Sequence, residues 1–109
     1  MNRPLISTCI VTQNNAAYLR RAIASVERFS DEIVVVDGGS TDETEAFVRS
    51  HPKCLYLRRP FDGNFAAQKN FGFDHASGTW ILELDQDEVV CEAFAEAIRP
   101  LLERSRELG

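Results

Sequence analysis

Residues 33–36 read Ile-Val-Val-Val, with no polar position to mark a solvent side. A strand that faces water alternates apolar and polar residues, so an unbroken β-branched run describes a strand covered on both faces. Double cover is the habit of parallel sheets built from β/α units. The neighbouring segments agree. Residues 5–12, LISTCIVT, are short and β-branched-rich, as a strand is. In NNAAYLRRAIASVERF, Leu19, Ile23 and Val26 recur at helical spacing, with Asn14 or Asn15 as N-cap. Ser40 and Glu43 have the spacing of a capping box, which predicts a second helix from there to about Ser50. KCLYLRR is a third strand. NFAAQKNFGFDHA is a third helix stopped by Ser77-Gly78, with Ala66, Ala67, Phe71 and Phe73 towards the sheet. TWILELD is a fourth strand. CEAFAEAIRPLLERSREL is a fourth helical stretch that Pro100 should kink or split.

Four strands alternating with four helices predict an α/β fold: three layers, α/β/α, around a mainly parallel sheet of about four strands. Right-handed crossovers put helices on both faces. Ligands of such sheets bind beyond the carboxyl ends of the strands, where the strand order switches. That rule selects the loops Thr12-Gln13-Asn14, Asp37-Gly38-Gly39-Ser40, Arg58 to Asn64, and Asp85 to Glu88. The polar residues concentrate there, which predicts one shared site.

Each constellation has a chemical and a plain reading. In VVVDGGSTDET the glycines permit a tight turn with positive φ and helix amides follow, as in a nucleotide cradle where Asp37 accepts from a ribose or base. The same letters also describe an ordinary strand–helix turn with a good cap. The spacing is not G-x-G-x-x-G, which argues against a nicotinamide cofactor. Asp85 and Asp87, two residues apart at a strand end, suit a hard cation such as Mg²⁺ or Mn²⁺ that also takes substrate phosphates. Alone, such a pair is equally a solvated acidic turn, and its position at the ligand edge favours the cation. Lys69 offers a positive charge to an anionic ligand or is a solvated helix lysine. Glu83 lies within the fourth strand, on the alternate face from Trp80, Leu82 and Leu84, and is expected to be partly buried and paired with a basic side chain. His51 and His75 sit near helix ends, where a cation suits the dipole, and read as structural.

Composition narrows the field. At 109 residues the chain suits a single domain, residues 1–109, and is small for a complete two-substrate enzyme. A net charge of −5, with only the short pair Arg58-Arg59 as a basic cluster, argues against nucleic acid as partner. No apolar run approaches a membrane span, and MNRPLISTCIV reads as a strand, not a secretion signal. Cys9, Cys54 and Cys91 have neither metal spacing nor an even count, and free thiols fit a reducing cytoplasm. The expected location is cytoplasmic, at most peripheral at the inner face of the membrane.

Taken in order, CIVTQNNAAYLRRAIASV, DEIVVVDGGSTDET, AAQKNFGFDHASGTW and LELDQDE resemble family two of the inverting glycosyltransferases, which have the GT-A nucleotide-sugar fold. The resemblance runs from about Leu5 to Val90. The wording of DEIVVVDGGSTD, QKNFG and LDQDE is most similar to bacterial transferases of lipopolysaccharide core and related cell-surface glycans. It implies transfer of a sugar from a nucleotide-diphosphate donor to the hydroxyl of a glycan or lipid-linked acceptor, with inversion at the anomeric carbon. It also implies that Thr12 and Asn14 line the nucleoside pocket, that Asp37 meets the base or ribose with Gly39 in the same cradle, and that Lys69 lies near the nucleotide. By the same resemblance Asp85 faces the ribose or diphosphate, and Asp87, with Asp85, ligates Mg²⁺ or Mn²⁺. The family's general base and acceptor region come from a later segment, and Glu88 does not occupy the base position. The chain is therefore expected to form the donor-binding half, its fourth strand an open edge, with a homodimer or partner chain as one way to supply the missing region. The alternative is a nucleotide-diphosphate-binding module without independent catalysis.

Overall fold

A computed structural model describes residues 3–108, and its element order follows the alternation expected. The strands are β1 (Ile6–Thr12), β2 (Glu32–Asp37), β3 (Cys54–Arg58) and β4 (Trp80–Asp85), and the helices are α1 (Ala16–Val26), α2 (Thr44–Ser50), α3 (Phe65–His75) and α4 (Glu92–Leu108). All pairings are parallel, in the order β3-β2-β1-β4. The chain walks outward from β1 through β2 to β3, then returns to place β4 on the other side of β1. The order therefore switches between β1 and β4, where the loops that follow them diverge and leave a crevice. Thr12 pairs with Asp37, and Val11 with Asp85, so the three polar strand ends lie within one residue of the same level.

The sheet has a helix layer on each side. On one side Ile10, Ile33, Val35 and Leu84 pack with Leu19, Ile23 and Val26 of α1, Val48 of α2 and Ala95 of α4. On the other Cys9, Val34 and Val36 meet Phe71 and Phe73 of α3. The Ile-Val-Val-Val run thus feeds both cores alternately, and all four residues are at most 1% exposed. Each such side chain contributes about 1.5–3 kcal/mol relative to leaving it in water. β4 is an edge strand among the described residues, as expected, and Trp80 and Ile81 remain exposed along it. No helix among the described residues is long and apolar enough to cross a membrane.

Several local expectations are revised. Asn15 stands at the N-cap of α1 but is left-handed (φ 59°, ψ 49°), and its side chain makes no cap bond. Asp42 accepts from the Ala16 amide in its place (3.2 Å). The Ser40/Glu43 capping box does not form: α2 opens at Thr44, and the Ser40 hydroxyl turns to Asp37 (2.8 Å). The hydroxyl donates to that carboxylate and accepts from the Asn14 amide (2.7 Å), so it is oriented away from the helix amides on both counts. Pro100 does not split α4, which runs unbroken to Leu108. On α3 the most buried positions are Gln68 and Gly72, whereas Ala66 is exposed. A Cβ on Gly72 would stand 3.0 Å from Val36 Cγ2, so the missing side chain is what lets α3 approach β2.

Candidate functional site: a cleft at the strand ends

All four loops selected from the sequence meet at one cleft of about 490 Å³. Thr12 and Gln13 form one wall, Gly38 the floor of another, Phe61 the β3–α3 side, and Asp85 and Gln86 the β4 side. α3 contributes Phe65, Gln68 and Lys69, which its i, i+3, i+4 spacing brings to one face.

The β2–α2 turn is organised by Asp37. Its Oδ1 accepts from the Gly39 amide (2.9 Å), the Ser40 amide (2.8 Å) and the Ser40 hydroxyl (2.8 Å). Its Oδ2 accepts from Tyr56 Oη (2.6 Å). Burial alone would push this carboxyl up, but the hydrogen bonds from Tyr56, Gly39 and Ser40 outweigh it and hold it below the usual carboxylate range. Burial and the bond to Asp37 push the Tyr56 hydroxyl up to about 12. Asp37 is fully buried. A direct contact to a base or ribose would therefore require this turn to shift. Gly39, left-handed at φ 128°, turns its amide to Asp37 as well, and Gly38 is the glycine that borders the cleft. Asn14 is a brace: its Oδ1 accepts from the Thr41 amide (2.9 Å), and its own amide donates to Ser40 Oγ (2.7 Å).

The Asp85-Gln86-Asp87 turn divides its side chains. Gln86 turns inward, its Oε1 accepting from Thr12 Oγ1 and from the Gln13 amide (3.3 Å). Glu88 Oε1 accepts from the Asp85 amide (2.8 Å), and the Glu88 amide donates to the Asp85 carbonyl (3.0 Å), closing the turn. With these bonds tying the turn to β1, Asp85 stands exposed on the cleft wall and Asp87 exposed beside it. Among the described residues no three His, Cys, Asp or Glu side chains converge as a cage for a cation. Two exposed carboxylates fit an ion that keeps water and takes its other ligands from a bound phosphate.

Lys69 reaches the cleft with its ammonium paired to Glu83, a basic partner as expected, although Glu83 is exposed on the edge strand and not partly buried. The Glu83 hydrogen bond raises the lysine above its ordinary value, with Asp85 and Glu88 adding to the effect. His51 bonds Glu27 (2.8 Å) and His75 the Phe71 carbonyl (2.8 Å), both structural as expected.

Sequence reasoning selected the loops that hold Gln13, Phe61 and Gln86 without giving these side chains a role, and it passed over Phe65 and Gln68. Gln68 is fully buried, accepting from Arg59 Nη1 (2.6 Å) and donating to the Arg59 carbonyl (2.7 Å), and so it fixes the loop that carries Phe61. Its signal was available: a glutamine on the inner face of a helix whose apolar spacing is poor. For Gln86 the strand-end rule gave the loop but not the bond to Thr12, which depends on β4 lying beside β1.

The family model of glycosyl transferase family 2 matches residues 7–108. The chain is 37% identical over 107 residues to the lipopolysaccharide core biosynthesis glycosyltransferase LpsC of Rhizobium meliloti, covering 94% of this chain and 39% of that one. It is 38% identical over 100 residues to a PGL/p-HBAD biosynthesis glycosyltransferase of Mycobacterium bovis, covering 85% of this chain and 39% of the relative. The chain thus spans about two fifths of these relatives. The fold is similar to that of S. aureus TarS, with a TM-score of 0.78 at 22% identity over 94% of this chain and 33% of that one.

Proposed function

This chain belongs to glycosyl transferase family 2, and on that premise we propose that its cleft binds the nucleotide-diphosphate sugar from which a sugar is transferred to an acceptor hydroxyl in cell-surface glycan synthesis. The observation that carries the reading is the split turn after β4. Gln86 is drawn in to Thr12 and Gln13, and Asp85 and Asp87 are left exposed at the switch point of the sheet. Family membership and the cell-surface glycan names of the relatives support the reaction class, and the geometry supports donor binding.

In this reading Asp87, with Asp85, holds Mg²⁺ or Mn²⁺, which when bound neutralises the departing diphosphate as a Lewis acid. Lys69 adds positive charge beside Asp85, balanced by Glu83 until an anion arrives. Thr12 and Asn14 act through the loops they hold: Thr12 anchors the β4 turn, and Asn14 locks the β1 and β2 loops together. Asp37 keeps the Gly38-Gly39 turn closed, so that Gly38 presents a surface without a side chain to the ligand.

A second reading, a nucleotide-diphosphate-binding module without turnover by this chain alone, is favoured by how the acids near the cleft are engaged. Glu88 is bonded to the Asp85 amide, Glu83 to Lys69, and Asp37 to its own turn. A general base must lie within hydrogen-bond reach of the acceptor proton, and Asp85 and Asp87, the acids left exposed at the cleft, are given to the metal in this reading.

Calorimetry with UDP, GDP and dTDP, each with and without Mn²⁺, tests both. Metal-linked binding of at least one nucleotide is expected, and Asp87→Asn should abolish its metal-dependent part. Absence of binding by all three removes the donor-site reading, and a metal effect unchanged in Asp87→Asn removes the ligand assignment. Slow hydrolysis of a bound sugar nucleotide by this chain would decide for the enzyme over the binding module.

A further inference from the structure

The two edges of the sheet are built differently. β3 ends in Arg58 and lies between Pro52-Lys53 and Arg59-Pro60, the prolines and charges that keep an edge strand from pairing. β4 has neither proline nor lysine within it or beside it, from Ser77 to Gln86. Its one charge before the strand end is Glu83, and Lys69 of α3 neutralises that. Trp80 and Ile81 are 44% and 45% exposed. The backbone phase of β4 is fixed by the Trp80 amide, which donates to the Leu5 carbonyl (2.8 Å). Backbone groups alternate in direction along a strand, so Trp80, Leu82 and Leu84 turn theirs to β1, and Ile81, Glu83 and Asp85 turn theirs outward. Glu88 closes the outward groups of Asp85, accepting from its amide (2.8 Å) and donating to its carbonyl (3.0 Å). At the other end the Thr79 amide donates to the Pro4 carbonyl (2.9 Å). Among the described residues, the stretch left open between these closures is the amides and carbonyls of Ile81 and Glu83, with Leu82 midway.

We propose that this edge joins two copies of the chain, their β4 strands paired antiparallel about a two-fold axis through Leu82. The occupant follows from the pattern of open groups, which is its own complement. Rotation about Leu82 brings Ile81 opposite Glu83 of the second copy. The Ile81 amide then donates to that glutamate's carbonyl and the Ile81 carbonyl accepts from its amide, and symmetry doubles the set to four hydrogen bonds. The closed ends fix the register. A slip of two residues one way pairs Glu83 with Thr79 of the second copy, whose amide Pro4 already holds. A slip the other way pairs Ile81 with Asp85, which Glu88 has closed, and sets two Glu83 carboxylates directly opposite each other. In the register about Leu82 no like charges oppose: Glu83 faces Ile81, Leu82 faces Leu82, and exposed Trp80 lies across from Leu84. The two four-stranded sheets become one of eight with β3 as both outer edges, where the prolines and basic residues stop further growth. Assembly therefore ends at the dimer. The proposal stands independently of the donor-site reading, since none of its contacts is made in the cleft.

Sedimentation velocity of the chain from about 1 µM to about 1 mM, the span of weak to moderate affinity, should show one monomer–dimer equilibrium and nothing larger. Ile81→Pro deletes one outward amide in each copy, and with it two of the four hydrogen bonds. It leaves the ladder to β1 intact, because proline is accepted on an edge strand where the amide faces out. Its dimer should be about 5- to 150-fold weaker, with the far-ultraviolet circular dichroism of wild type. Cysteine pairs read the register, in a Cys91→Ser background that removes the exposed native thiol. A mixture of Ile81→Cys with Glu83→Cys should cross-link on mild oxidation. Neither variant should do so alone, because identical positions then stand diagonally, beyond the about 7 Å that a disulfide spans between Cα atoms. Leu82→Cys, on the axis, should cross-link by itself. A wild type that stays monomeric throughout leaves the edge to a different polypeptide and overturns the proposal. A dimer undiminished in Ile81→Pro, or one that grows into larger assemblies, overturns it as well. Cross-linking of Ile81→Cys or Glu83→Cys alone, without cross-linking of the mixture, overturns the register.

Discussion

Replacing Asp37 by alanine removes one carboxylate and strands four donors, the amides of Gly39 and Ser40, the Ser40 hydroxyl and Tyr56 Oη. A hydrogen bond to a charged acceptor contributes about 1.5–3 kcal/mol, and a buried donor left without a partner costs about 1–3 kcal/mol. The four contributions do not add, because they share one acceptor group, and the Gly39 and Ser40 amides regain water if the turn opens. The net loss expected for Asp37→Ala is about 3–5 kcal/mol, within the range for removing one partner of a buried charged network. At about 4 °C per kcal/mol for a domain of this size, Tm should fall by roughly 12–20 °C. Asp37→Asn keeps one oxygen for the two amides and the Ser40 hydroxyl but puts an NH2 donor where the Tyr56 hydroxyl now donates, so its loss should be intermediate, about 1–2 kcal/mol. Urea titration followed by far-ultraviolet circular dichroism measures each variant. Tyr56→Phe should couple to Asp37→Ala in a double-mutant cycle, because both delete the same bond. An Asp37→Ala loss below about 1 kcal/mol, the size of an ordinary point substitution, would refute the view of Asp37 as the organiser of this turn. So would simple additivity with Tyr56→Phe.

Acid should weaken the fold through the same groups. In Asp31, as in Asp37, burial raises the carboxyl but hydrogen bonds outweigh it, here from Ile6, Arg99 and Leu5, and the folded value lies below that of the unfolded chain, about 3.9. The unfolded chain therefore binds more protons in that range. The stabilisation is complete above the unfolded value and is lost as pH falls through the folded ones, so urea midpoints should hold at neutral pH and drop steadily below about pH 4. A flat profile into that range would contradict the assignment. Gly78→Ala would set a Cβ 2.6 Å from both Ser7 N and Ser7 Oγ, against backbone that cannot yield, and should cost about 3 kcal/mol in thermal melts. Gly72→Ala meets the movable Val36 methyl and gains helix propensity of about 1 kcal/mol, so its loss should be clearly smaller, and equal losses would undo this reasoning. In the native protein a thiol reagent at pH 8 should label Cys91 rapidly. Cys9 and Cys54, pushed up to about 12 chiefly by burial, should react only on unfolding, and fast labelling of all three would contradict their burial.

The layered plan was legible because it follows from short-range patterns. The unalternating Ile33–Val36 run required helices on both faces, and both cores contain its residues. The rule that ligands lie beyond strand ends located the cleft, since each loop it selected borders it. What the patterns could not say was where each polar side chain would spend its hydrogen bonds. Ser40 had the spacing of a helix cap but found the Asp37 carboxylate, and Asn14 and Gly39 went to bracing the turns. Those choices are settled by partners that lie 3 residues away in one case and 27 in another, and no local propensity encodes the longer of these.

The sequence by itself determined the parallel sheet, its strand ends and the pair Asp85 and Asp87, because periodicity and spacing are properties of neighbours along the chain. Only the tertiary structure decided that Gln86 turns inward to Thr12 while the two aspartates stay exposed, that Glu83 is the partner of Lys69, and that Phe61 and Phe65 meet across a cleft. The physical reason is the strand order. β4 lies beside β1 although the two are far apart in sequence, and that placement creates both the crevice and its chemistry.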